Sequence, residues 1–251
     1  MSATARIVRT GLKHLVVLAA VGFIFFPLVI LIFNALKSKD EFARTNVFDP
    51  PENWFNLDNF ITVLERANLG TAFFNTGFII VVTVIGNVII GTMVAYALGR
   101  FKFKLNKWIM GAYLLATVIP SITTQVATFT VISNLGLYNT LWAPIVLFLG
   151  ADVLQIFIYL QFIRSIPEEL DESAMIEGAS LFRIYAQIIV PLLTPATVTL
   201  MIIKTIKIYN DMYFPYLYMP ASHLSVVSTS LMRFSAERGT EWELMSAAIW
   251  L

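Results

Sequence analysis

Five carboxylates fall within ten residues, at Glu168, Glu169, Asp171, Glu172 and Glu177, between two long apolar runs. Pro167 suits the first position of a helix, where its missing N–H costs nothing, and acids in a first turn interact favourably with the helix macrodipole. The spacing predicts a helix from Pro167 to Glu177. Gly178 can adopt the left-handed conformation that stops such a helix, and Ser180 can cap a second one carrying Phe182, Tyr185 and Ile189 on one face. Glu168 and Glu172 stand at i,i+4, a like-charge pair that disfavours an isolated helix. A basic groove on a soluble partner would remove that cost, so the chemistry of this stretch is docking rather than catalysis. Anionic lipid headgroups would repel it.

A second constellation is Asp152 with Lys204 and Lys207. The lysines are one turn apart and share a helix face, and an unpaired charge at membrane depth costs at least about 2.5–3.5 kcal/mol. Two registers are open. A span beginning at Ile184 carries Lys204 to the outer boundary, where it can snorkel. A span beginning near Pro191 or Pro195 leaves it near the midplane, at the depth of Asp152, where the two can pair. Either reading is structural, and a role in a substrate path is the alternative. Tyr209, Asn210, Tyr213, Tyr216 and Tyr218 follow, suited to sugar recognition or equally to an interfacial aromatic belt.

The elements that position these residues are membrane spans. Hydrophobic residues make up 58 % of the 251-residue chain and charged residues 13 %, more apolar surface than a water-soluble domain of this size can hide. The net charge of +1 gives nucleic acid no electrostatic footing, and the absence of cysteine removes disulfides and thiolate chemistry. His14 and His223 are too far apart to suggest a histidine metal or catalytic centre. No paired catalytic carboxylates, Ser-His-Asp arrangement or nucleotide-binding motif is present. Leu15 to Leu36 gives 22 residues without Asp, Glu, Lys or Arg, Thr71 to Gly99 gives 29, and Trp108 to Ala151 gives 44, against roughly 20 per span. The third run is interrupted at residues 133–139, so it holds span three and the start of span four, which continues past Asp152 to about Ile163. Span five lies in the run opening at Ile184. Residues 37–70 and those after Asp211 read as external loops, and Trp242 to Leu251 as a sixth span cut short. Arg6, Arg9 and Lys13, then Arg100, Lys102, Lys104 and Lys107, mark the N-terminus and the loop at residue 100 as cytoplasmic, which puts residues 161–183 inside as well. The expectation is an all-α polytopic bundle, one transmembrane domain over residues 1–251, with the docking loop at 165–190.

The run Glu172-Ser173-Ala174, then Gly178, then Val190-Pro191 resembles the signature loop of membrane subunits of binding-protein-dependent ABC importers. Ser173, Glu177 and Val190 depart conservatively from the usual alanine, aspartate and leucine. Residues 95–103, Ile119-Pro120-Ser121, residues 135–140, residues 164–170 and Tyr209-Asn210-Asp211 extend the resemblance to the carbohydrate branch, the smaller six-span permease of maltose-like systems, over roughly Phe60 to Leu251. The resemblance implies a non-catalytic permease of the bacterial cytoplasmic membrane that binds no cofactor. Its implied partners are two ATPase subunits holding ATP and Mg, a second homologous permease and an extracytoplasmic solute-binding protein. It implies that Glu172, Ser173, Ala174, Glu177, Gly178 and Ala179 seat the ATPase, and that Asn210 lies in the transport cavity, with little sugar contact from this chain. The implied cargo is an oligosaccharide. Lys204 and Lys207 motivate an anionic or phosphorylated solute as the alternative, and an Asp152–Lys204 relay would instead suit a proton-coupled carrier.

Overall fold

The computed structural model describes residues 3–150, 152–238 and 241–251, and the side chains of residues 3–10, 121 and 238 lie outside the description. Arg6 and Arg9, on which the inside-positive reading rests in part, are among these. Ala151, at the end of the third apolar run, lies outside the described residues.

Two compact units form, Met1–Gly70 with Ser230–Leu251, and Thr71–Thr229. In the first, α1 (Ala3–Leu36) is the long apolar helix foreseen from Leu15. The stretch after it is more ordered than a loop. A capping box of Ser38 and Glu41 starts α2 (Lys39–Arg44), each residue's side chain accepting from the other's backbone N–H. In α3 (Asp58–Arg66), the Asn59 amide donates to the carbonyls of Ala35 and Lys37 at 2.8 and 2.7 Å, satisfying acceptors that the end of α1 leaves free.

The second unit is built on α4 (Leu69–Arg100), a 32-residue helix without a break. Every later span is bent. α5 (Asn106–Val118) stops before Pro120, and a 3-10 turn leads into α6 (Gln125–Asn134). α7 (Trp142–Leu149) and α8 (Val153–Ser165) meet at a bend around Gly150 and Asp152. After α9 (Glu169–Ile176), α10 (Leu181–Ile184) passes through a π-helical turn (Tyr185–Ile189) into α11 (Val190–Leu192), and α12 (Thr194–Asn210) leaves at 73°.

The prolines explain that last bend. Pro191 has no N–H for the carbonyl four residues back, and the chain widens there into the π turn, Val190 N–H bonding to Tyr185 O. Pro195 cannot donate to Pro191 O, and the Thr194 hydroxyl does so instead at 2.6 Å. Of the described helices, two are long and apolar enough to cross a membrane alone, and the three bent pairs bring the spans to five.

The core of this unit joins the end of α4 (Ala95, Tyr96, Leu98), the inner face of α8 (Ile156, Tyr159, Leu160, Ile163) and the bent span (Ile184, Ile189, Leu193, Ala196, Leu200). The stretch after Asp211, expected as loop, carries α13 (Tyr213–Tyr218) and α14 (Val227–Arg238) before α15 (Trp242–Trp250). The hydroxyl-rich sequence of α14 hid its helix. Thr229 Oγ1 accepts from Val226 N, and Ser230 Oγ donates to Ala67 O, so polar side chains here serve packing rather than solvent.

Candidate functional site

The acidic loop folds as helix, stop and helix. α9 begins at Glu169, two residues later than the proline suggested, because Glu168 rather than Ile166 is the flanking cap. Its end is a complete Schellman motif: Ala179 N–H bonds to Ala174 O at 2.9 Å and Gly178 N–H to Met175 O at 3.0 Å. Gly178 has φ +85°, the left-handed region that a Cβ disfavours. Ser180 then caps α10, its Oγ accepting from Arg183 N–H.

This geometry divides the six candidate docking residues. Ala174 and Ala179 turn inward and pack against the core of the second unit. Glu172, Ser173, Glu177 and Gly178 are exposed. Beside them lie exposed apolar side chains, Phe182 and three that the sequence reading missed, Met175, Ile176 at 87 % exposure and Leu181. Phe182 does not share its surroundings with Ile189, which is fully buried. The π turn between them rotates the helix face, and a constant 3.6-residue period could not foresee that.

Asp171 departs from the acidic face. Its carboxylate is buried, with Oδ2 2.9 Å from Arg100 Nε, and the two side chains are 11 % and 6 % exposed. The same guanidinium donates from Nη2 to the carbonyls of Ile166 at 3.0 Å and Pro167 at 3.5 Å. A cavity of about 130 Å³ opens beside the pair, lined by Tyr96, Phe101, Glu168 and Glu172 among others.

Of the readings open for the membrane constellation, the Asp152–Lys204 pair forms. α12 starts at Thr194, so Lys204 lies about 15 Å along it. Its ammonium is 3.0 Å from Asp152 Oδ2, and Lys207 reaches Asp152 Oδ1 at 3.8 Å. Lys204 is buried, whereas the Lys207 side chain is 57 % exposed.

Asp152 projects from the bend between α7 and α8. There the Asn87 amide donates to the freed carbonyls of Leu149 and Gly150 at 3.2 and 2.8 Å, and Gln155 donates to Asn87 O at 3.0 Å. Neither amide was foreseen, although Asn87 within a long uncharged run was a legible signal. These groups line a cavity of about 30 Å³, room for a water or two. Tyr209 and Asn210 lie apart from it. Asn210 is exposed at the end of α12 and donates back to Ile206 O at 2.8 Å. Among the described residues no group of three His, Cys, Asp or Glu side chains could hold a metal ion.

A bundle of bent spans carrying an ordered helix-stop-helix loop defines a class, the helical permease. The fold is that of a crystal structure of a bacterial ABC transporter involved in the import of the acidic polysaccharide alginate, at a TM-score of 0.83 and 19 % identity, covering 100 % of this chain and 92 % of that one. Residues 87–248 match the family described as binding-protein-dependent transport system inner membrane component.

The chain is 33 % identical over 226 residues to the melibiose/raffinose/stachyose import permease protein MelC of Bacillus subtilis (strain 168), covering 89 % of this chain and 81 % of that protein. It is equally 33 % identical over 226 residues to the probable starch degradation products transport system permease protein AmyC of Thermoanaerobacterium thermosulfurigenes, with the same coverage. The protein therefore belongs to the binding-protein-dependent transport system inner membrane components, as a multi-pass, non-catalytic transport subunit.

Proposed function

We propose that this chain is the permease of an oligosaccharide importer, receiving ATPase motion through the loop centred on Glu172 and Gly178. The observation that carries the reading is the rigid, projecting turn. A full Schellman stop, with Ala174 and Ala179 anchored inward, leaves Glu172, Ser173 and Glu177 exposed beside Met175 and Ile176. An exposed apolar patch rimmed by charge suits a partner cleft better than bulk water. Raffinose-type sugars are the cargo this reading favours, since MelC is named for them. ATP and Mg belong to two ATPase subunits, and a second permease completes the pathway. The N-terminus and the loop face the cytoplasm, in keeping with lysines 102, 104 and 107 beside the end of α4.

The test is reconstitution with the partner subunits in proteoliposomes. Gly178→Pro demands φ near −65° where the chain needs +85°, and Glu172→Lys reverses the exposed charge. Both variants insert but lose ATPase association and raffinose uptake. Wild-type uptake in both would reject the docking role.

A second reading, import of an anionic sugar, is favoured by one observation: two lysines meet a single aspartate, and Lys207 keeps most of its surface free. Stronger competition against raffinose uptake by an oligogalacturonate than by stachyose would establish it, and the reverse order would exclude it. The proton-relay reading of Asp152 and Lys204 has no place in binding-protein-dependent import.

A further inference from the structure

We propose that Arg100 is the positioning residue that makes the docking loop and α4 move as one body, so that displacement of α9 reaches the Asp152–Lys204 site along α4. The proposal rests on the docking role of α9 and concerns what happens beyond it.

Arg100 is the last residue of α4 and its side chain is almost wholly buried. One guanidinium holds three parts of the loop at once. It pairs with Asp171 within α9, and it donates to Ile166 O, at the end of α8, and to Pro167 O in the turn between them. The planar fork of arginine serves several acceptors in a fixed geometry, which an ammonium cannot do. Tyr185 adds a second tie from the far side of the loop. Its hydroxyl lies 2.7 Å from Thr92 Oγ1, and its ring packs against Tyr96.

Stability alone does not call for the charges, because an apolar pair of similar volume commonly holds a buried site as well as an ion pair does. What the ion pair adds is direction. Together with the two carbonyl bonds it ties α9, the end of α8 and the turn between them to the end of α4 at one point.

α4 is suited to carry that motion. It runs unbroken for 32 residues, while each later pair is interrupted by a bend of more than 40°. About 20 Å along it from Arg100 lies Asn87. The Asn87 amide holds the carbonyls of Leu149 and Gly150 at the α7–α8 bend, and its carbonyl holds Gln155. Gln155 lines the cavity that Asp152, Lys204 and Lys207 share. The ties at Arg100, the unbroken helix α4 and the amides at Asn87 and Gln155 thus lead from the docking surface to the cavity that the membrane charges line.

The experiment uses the complete importer in proteoliposomes, with raffinose-loaded binding protein outside and ATP inside, and reads raffinose moved per ATP hydrolysed. The double substitution Arg100→Met with Asp171→Leu removes both charges without leaving either one buried alone. The expected result is retained ATPase subunits and near wild-type hydrolysis, with transport per ATP reduced about tenfold, the scale of a typical coupling between sites. Because the chain has no cysteine, Arg100→Cys with Asp171→Cys allows a short thiol-to-thiol cross-linker to rejoin the two positions. Transport per ATP should be low before cross-linking and recover after it.

An unchanged ratio in the double-neutral variant would overturn the proposal, as would uptake and hydrolysis falling together or no recovery on cross-linking. Failure of docking itself looks different, because Glu172→Lys then keeps its ATPase subunits. A wild-type complex that holds no ATPase would remove both readings.

Discussion

Two ion pairs in the same unit have opposite designs. Arg100 and Asp171 are both enclosed, and Nη2 of the same guanidinium donates to two backbone carbonyls. Lys204 is enclosed but Asp152 is 43 % exposed, and a second ammonium stands 3.8 Å away. The first arrangement sets one cation against one carboxylate and keeps both out of solvent. The second sets two cations against one half-exposed carboxylate, and one of those cations is itself largely exposed.

The sharpest way to break this comparison is to remove one partner of the enclosed pair. Asp171→Leu leaves a buried guanidinium uncompensated and should cost about 3–5 kcal/mol. Adding Arg100→Met should recover most of that loss. Thermal unfolding of the purified complex measures both, and a double variant no more stable than the single one would show that the charges are not coupled.

The open pair should respond unequally. Lys204→Met leaves Asp152 only the more distant Lys207 and should cost about 2–3 kcal/mol, on the scale of an unpaired charge at membrane depth. Lys207→Met should cost less than about 1 kcal/mol, as for an exposed pair. Equal losses of unfolding temperature in the two variants would contradict the asymmetry.

Smaller effects test the supports of each site. A Cβ at Gly91 would collide with the Gln155 side-chain amide, so Gly91→Ala should displace Gln155 from Asn87 O and cost about 1–3 kcal/mol. Unfolding of that variant should be insensitive to a further Gln155→Ala, and additive losses would place the two residues in separate environments. Thr194→Val removes the hydroxyl that answers Pro191 O and should cost about 1 kcal/mol. No change would mean that water already satisfies that carbonyl.

Much of the loop was legible because its signals are local. A glycine after an acidic helix and a serine two residues on point to a stop and a cap, and both take those roles. The membrane charges were legible only as alternatives, since the choice of register depends on where the bent span resumes, and the Pro191–Pro195 joint decides that. The Arg100–Asp171 pair was not legible. Each residue looked like one more charge in its own cluster, a basic loop and an acidic one, and nothing in a linear pattern joins positions 71 residues apart. Gln155, and the partners of Asn87, were invisible for a related reason. A buried amide is explained only by the carbonyls it serves, and a bend in other helices exposes these. Helix α14 went unseen because its serines and threonines satisfy backbone groups elsewhere, and such residues read as loop when their partners are unknown.

The sequence by itself determined what depends on composition and near neighbours: the membrane as solvent, the lengths of the long apolar runs, the helix-stop-helix of the loop and the exclusion of thiol chemistry. Tertiary structure alone decided which charges meet, which of the five acids faces outward and which is spent on Arg100, and how a π turn re-aims Phe182. The physical reason is range. Backbone propensity and hydropathy act over a few residues, whereas burial and ion pairing depend on distances that exist only once the helices have packed.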